Sequence, residues 1–264
     1  MKYSMGSDDM REDNTTKIYL SGNHIMIRAG YSDPQLHAHK AAHLIVSLGG
    51  SITLRTKSEE HKARGVMIPS GYPHTVQNEG NTLLVFMFDD TTRMSEQIKE
   101  VTYLEDSVAE RVADLYKETF ENQSSEASIS TYDEFFENAM LMVGLGKVES
   151  KITDERVLSA IRYVDEHITE EFTEEDVADS CYLSVSRFSH LFREQAGISF
   201  AGYVILRRMY KAYMLLATGK SITESSMLAG FSTPSHFAAL NQKIFGINAG
   251  SISGNLEIIC KPDI

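Results

Sequence analysis

Short β-favouring runs occupy residues 17–20, 24–28, 43–48, 51–55, 65–68 and 83–88, separated by turn-forming Gly, Asn and Pro clusters. Many short strands with regular turns predict a sandwich or barrel. At Thr92 the period changes. Met94, Ile98, Val101, Leu104, Val108, Val112 and Leu115 then recur at helical spacing, predicting one amphipathic helix over about 93–121. A Ser-rich break follows, then a shorter helix carrying Phe135, Phe136, Met140 and Met142. The long apolar stripe needs a cover, which is either the barrel wall or a second subunit.

Past residue 153 every periodic segment reads as helix. Thr153, Thr173, Ser184, Ser199, Ser221 and Thr233 stand at predicted N-caps, and Asp176 completes a capping box with Thr173. Gly197, Gly219, Gly230 and Gly246 stand at predicted stops. Two segments, 173–196 and 221–245, share the layout of short helix, tight turn and second helix. That is the helix-turn-helix unit, whose second helix can enter the major groove.

A chain of 264 residues accommodates two domains. Its two cysteines, Cys181 and Cys260, lie far apart, which fits a reducing cytoplasm. No apolar run reaches the roughly 20 residues that span a bilayer, so no membrane partner is expected. The polar start reads as a disordered lead-in, not as a signal peptide. A net charge of −12 opposes DNA binding in sum but not in distribution. From Cys181 onward, eight Lys and Arg face four acids, a balance of 8 − 4 = +4. The acids gather earlier, in the run Glu170, Glu171, Glu174, Glu175, Asp176 and Asp179.

The stretch from Ser184 to Ser251 resembles the DNA-binding domain of the AraC/XylS family. Ser184, Phe188, Leu191-Phe192-Arg193, Gly197, Tyr203, Arg207, Gly230-Phe231 and Ser235-His236-Phe237 carry the likeness. The resemblance implies two recognition helices per chain. It places Ser186, Ser189 and His190 at base-facing positions of the first, with Arg187 and Arg193 nearer the backbone. In the second it places Pro234, Ser235, His236, Ala238 and Ala239 at the DNA. Here the chain departs from the family: Ala239 stands where a basic residue is usual, Asn241 where an aromatic is, and Ser225-Ser226 where a small apolar pair is. The second unit is therefore expected to pack less well and to read less sequence.

HAHKAAH (37–43) and PSGYPH (69–74) resemble the two signature motifs of the cupin fold, with His37, His39, His43 and His74 at the ligand positions. Those four imidazoles suit a divalent transition metal. The alternative is an organic-effector pocket that needs no cofactor, completed by Arg28, Tyr31, Arg55, Tyr72 and Met87.

The expected architecture is α+β. It comprises a lead-in (1–16), a cupin-like effector barrel (17–92), linker and dimerisation helices (93–150), an all-α double helix-turn-helix domain (154–253) and a tail (254–264). The expected function is a cytoplasmic, homodimeric transcription regulator. It binds operator DNA, responds to a small molecule and contacts RNA polymerase if it activates. The competing readings are a metal-dependent cupin enzyme with a helical appendage, and a family member that acts only by pairing with a regulator.

Overall fold

The computed structural model describes residues 15–21, 24–30, 33–38, 40–121, 129–147, 149–245 and 256–260. Nine strands come first: β1 (Thr16–Ser21), β2 (His24–Ala29), β3 (Asp33–His37), β4 (Ala41–Ser47), β5 (Ile52–Arg55), β6 (Glu60–Ala63), β7 (Gly65–Ile68), β8 (His74–Gln77) and β9 (Leu83–Asp89). After α1 (Arg93–Gln97) comes β10 (Thr102–Tyr103), then α2 (Asp106–Phe120) and α3 (Ile129–Met142). The helical region holds α4 (Glu155–His167), α5 (Glu174–Ser180), α6 (Val185–Ala196), α7 (Phe200–Ala217), α8 (Ile222–Leu228) and α9 (Pro234–Phe245). A last strand, β11 (Leu256–Cys260), follows.

Two sheets form, ordered β10-β7-β4-β9-β2-β1-β11 and β3-β8-β5-β6. Apolar side chains from both, including Ile25, Ile27, Ile45, Val85, Ile52, Leu54 and Val76, meet in one core between them. The opposite face of the larger sheet, with Met26, Leu44, Phe86 and Phe88, is covered by α2 and α3. Burial on both faces explains why β9 reads LLVFMF without alternation.

The helix predicted over 93–121 is broken. Ile98 leaves helical geometry at φ −90°, ψ 87°. Thr102 and Tyr103 then pair with Met67 and Val66 of β7. Ile98 and Val112 are buried against the sheet's outer face, with Leu115 packed on the same cluster. Val101 packs on the inter-sheet core instead. The chain thus covers its own stripe, and the apolar-patch argument for a second subunit falls away. The region read as a tail also changes. Residues 256–260 add β11 in parallel beside β1, with Lys17 and Glu257 paired at 3.3 Å.

The helical region docks on the sheets along α7. Asp89, at the end of β9, is buried and accepts the Thr91 amide N–H at 2.8 Å together with its hydroxyl. Burial pushes its carboxyl up to about 6; the Thr91 hydrogen bonds and the positive charge of Arg207 pull the other way. A folded value above the unfolded one, near 3.9, means that the folded state binds the proton more tightly. Stability from this group is therefore full below about pH 4 and is lost as pH rises through about 6. Asp89→Asn keeps the carbonyl acceptor and removes the charge. Its melting temperature should exceed that of the parent at pH 7, with a gain of ~3 kcal/mol at most. The difference should shrink towards pH 4. Parallel melting curves that keep a constant separation from pH 4 to 7 reject this account of Asp89.

Candidate nucleic-acid interface

The first helix-turn-helix unit is built by caps and by one buried face. Thr173 and Asp176 form the reciprocal capping box that starts α5. α5 stops at Cys181, and Tyr182 turns the chain at φ 57° with its side chain 96% exposed. Ser184 caps α6, accepting the Arg187 amide N–H. Phe188, Leu191, Phe192 and Ala196 face inward, so helical spacing turns Ser186, His190 and Arg193 outward, and all three are exposed. Arg187 flanks that stripe and is exposed as well. Neither Arg187 nor Arg193 makes an ion pair among the described residues. Ser189 differs from these. It is half-buried, and its hydroxyl donates to the Glu174 carboxylate at the start of α5. Glu174 therefore stands at the edge of the reading face, where the sequence showed only one member of an acidic run.

Asp154, not Thr153, caps α4, through the Arg156 amide. The Gln195 side-chain carbonyl accepts the Thr153 and Asp154 amides at 3.0 and 3.1 Å, which ties the end of α6 to the start of α4. Gly197 ends α6 at φ 77°, and an added Cβ would lie 2.9 Å from the Asp90 carbonyl oxygen. Only glycine lets the recognition helix end this close to the sheet domain.

α8 and α9 form the second unit, joined to the first by α7. Ser221 caps α8 and Thr233 accepts the His236 amide at the start of α9. With Phe237 and Asn241 inward, the outward stripe runs Ser235, Ala239, Gln242 and Lys243. Pro234 and Ala238 are half-buried on its flank, and His236 bonds to Ser232 at 3.2 Å. Asn241 is fully buried and accepts the Tyr213 hydroxyl at 2.6 Å. Ser226 donates to the Thr223 carbonyl, whereas the buried Ser225 hydroxyl has no hydrogen-bond partner among the described residues. A buried polar group so placed costs about 1–3 kcal/mol. That cost falls in the core of the second unit, at Ser225.

In the sheet domain, His43 and His74 are buried with ring centroids 5.4 Å apart, and the His37 ring lies 4.8 Å from that of His74. The His74 Nδ1 meets the Tyr72 carbonyl at 2.8 Å, and Tyr72 and Met87 border the same inter-sheet core. Two expected pocket residues lie elsewhere. Strand alternation turns Arg28 to the outer face, where it donates to the Thr15 carbonyl and lies 3.6 Å from Glu121. Arg55 is exposed and paired with Glu60. Tyr31 and His39 lie outside the described residues. Among the described residues no group of three or more His, Cys, Asp or Glu has the arrangement to hold a metal ion. None of the helices described is long and apolar enough to cross a membrane.

A family model described as a helix-turn-helix domain matches residues 177–253. Regulatory protein PocR of Salmonella typhimurium is 35% identical over 95 residues, which cover 36% of this chain and 31% of that protein. The arabinose operon regulatory protein of Escherichia coli is 32% identical over 106 residues, 39% of this chain and 36% of that protein. The chain thus spans about a third of the length of these relatives. An apo variant of ToxT from Vibrio cholerae strain SCE256 shares the fold over 88% of this chain and 97% of its own, with a TM-score of 0.54 at 11% identity. The two capped units, the α7 bridge and the family model over residues 177–253 show the C-terminal third of the chain to be a helix-turn-helix domain, and the chain is similar in sequence to these regulatory proteins.

Proposed function

We propose that the chain is a sequence-specific, DNA-binding transcription regulator whose N-terminal sheet domain takes up a small organic effector. The observation that carries this is the pair of outward stripes, Ser186-His190-Arg193 and Ser235-Ala239-Gln242, on two recognition helices bridged by α7. Named relatives that match over 95 and 106 residues are themselves regulatory proteins. His37, His43, His74 and Tyr72 supply convergent polar groups at an otherwise apolar core, the composition of an effector site. The double helix-turn-helix layout, for which a cupin enzyme has no need, favours this reading over the enzyme one. The reading extends to action in the cytoplasm, to a homodimer on paired half-sites and, for an activator, to contact with RNA polymerase. Sedimentation of the free chain and of its DNA complex measures the number of protomers.

Selection of duplexes from a random library by the full chain, followed by fluorescence anisotropy across a salt series, tests the central statement. Binding should weaken on a log–log plot with a slope of about −0.9 per phosphate contact. If no selected duplex shows salt-sensitive binding at low ionic strength, the chain acts by pairing with another regulator.

A further inference from the structure

A cleft lies outside the sheet core, at the joint between the sheet domain and the first recognition helix. The cleft is open to solvent and has a volume of about 980 Å³, within the range of small-molecule sites. Its apolar lining residues are Met67 of β7, Ile98, Val143 and Leu145, and Ile98 and Leu145 are themselves buried. Its charged walls carry both signs. Lys151 and Glu96 neutralise each other at 3.2 Å. Arg93 and Lys99 on one side of the balance, and Glu100 and Glu194 on the other, make no ion pair among the described residues. The end of α3 opens here too, with Gly144 at φ 76° and the Leu145 amide folded back to the Met140 carbonyl at 2.9 Å. A helix C-terminus is electronegative and favours a cation.

We infer that this cleft binds a zwitterionic amino acid with an apolar side chain. Its carboxylate meets Arg93 and Lys99, its ammonium meets Glu100, Glu194 and the end of α3, and its side chain lies against Met67, Ile98 and Leu145. A plain carboxylate leaves the two glutamates uncompensated, and a plain amine leaves the two cations so. The site also touches DNA reading, because Glu194 and Gln195 form the last turn of α6 and Gln195 is already bonded to the α4 start. A ligand seated here braces the recognition helix against the sheet domain. The coupling to DNA rests on the function proposed above, but ligand binding itself does not.

Isothermal titration and saturation-transfer NMR of the full chain with L-leucine, L-methionine and L-phenylalanine test it, with isocaproate and isoamylamine as probes lacking one charge. The amino acids should bind with Kd near 1 mM or below, and the single-charge probes about tenfold more weakly. Arg93→Ala and Glu194→Gln, checked for folding by circular dichroism, should each weaken binding about tenfold, the ratio equivalent to ~1.4 kcal/mol. His43→Ala, in the sheet core, should leave it unchanged. Absence of binding by all three amino acids at about 10 mM overturns the inference. So does equal binding of isocaproate, or loss on His43→Ala but not on Arg93→Ala, which would assign the ligand to the sheet core and leave the effector reading standing.

Discussion

Replacing Phe192 by Ala should destabilise the first helix-turn-helix unit by about 3–5 kcal/mol and abolish DNA binding while the sheet domain stays folded. Phe192 is fully buried, with ring centroids of Phe188, Phe200 and Tyr203 at 5.7, 5.3 and 5.3 Å. Its removal leaves a cavity that three neighbouring rings cannot refill without leaving their rotamers. The loss is local because this unit has a core of its own, running from Ile152 to Val204. The second unit does not. Met209, Tyr213, Phe231 and Phe237 belong to the same contiguous cluster as the inter-sheet residues. A loss of this size approaches the whole stability of a small domain, typically 5–15 kcal/mol. Urea unfolding followed by far-ultraviolet circular dichroism should therefore turn biphasic, with one early helical step. A single transition shifted by less than about 1 kcal/mol would show that the first unit has no separate core.

The same distinction between local and non-local signals decides what was legible in the sequence. Helix starts depend on a residue and its neighbours three positions on, so Thr173, Ser184, Ser199 and Ser221 were readable as caps, and only Thr153 was displaced, to Asp154. The left-handed stops at Gly197 and Gly230 were equally local. Sheet pairing is not local. β3, β6 and β8 carry Gln, His, Glu and Lys among few apolar residues, and they became strands through partners far along the chain. Ile98 and Val101 sit at helical spacing, yet each is claimed by a different core, and the helix breaks between them. Nor does a sequence state which face of a two-sided sheet a residue takes, which is why Arg28 was sought in the pocket. Glu174 became visible beside the reading face only once its bond to Ser189 was seen.

The two recognition helices should contribute unequally, and two substitutions at matching outward positions measure it. His190 and Ala239 occupy the same place on the two stripes, three residues before Arg193 and Gln242 respectively. The first stripe offers a hydroxyl, an imidazole and a guanidinium to base edges and phosphates; the second offers a hydroxyl, a methyl and an amide, with the Lys243 ammonium at its end and no hydrogen-bonding group at its centre. His190→Ala removes a hydrogen-bonding group from the centre of the first. It should reduce the preference for the selected duplex over a scrambled one by about 1–2 kcal/mol, roughly five- to thirtyfold, with little change in binding to the scrambled duplex. Ala239→Arg adds a cation to a surface with nothing to lose there. It should raise affinity for both duplexes and steepen the salt slope by about 0.9, as one added phosphate contact does. Anisotropy titrations of the full chain and both variants, at two salt concentrations and on both duplexes, give all the quantities needed. If Ala239→Arg instead abolishes preference for the selected duplex as fully as His190→Ala does, the second helix reads bases through a close fit at its methyl, and the two units are equal readers.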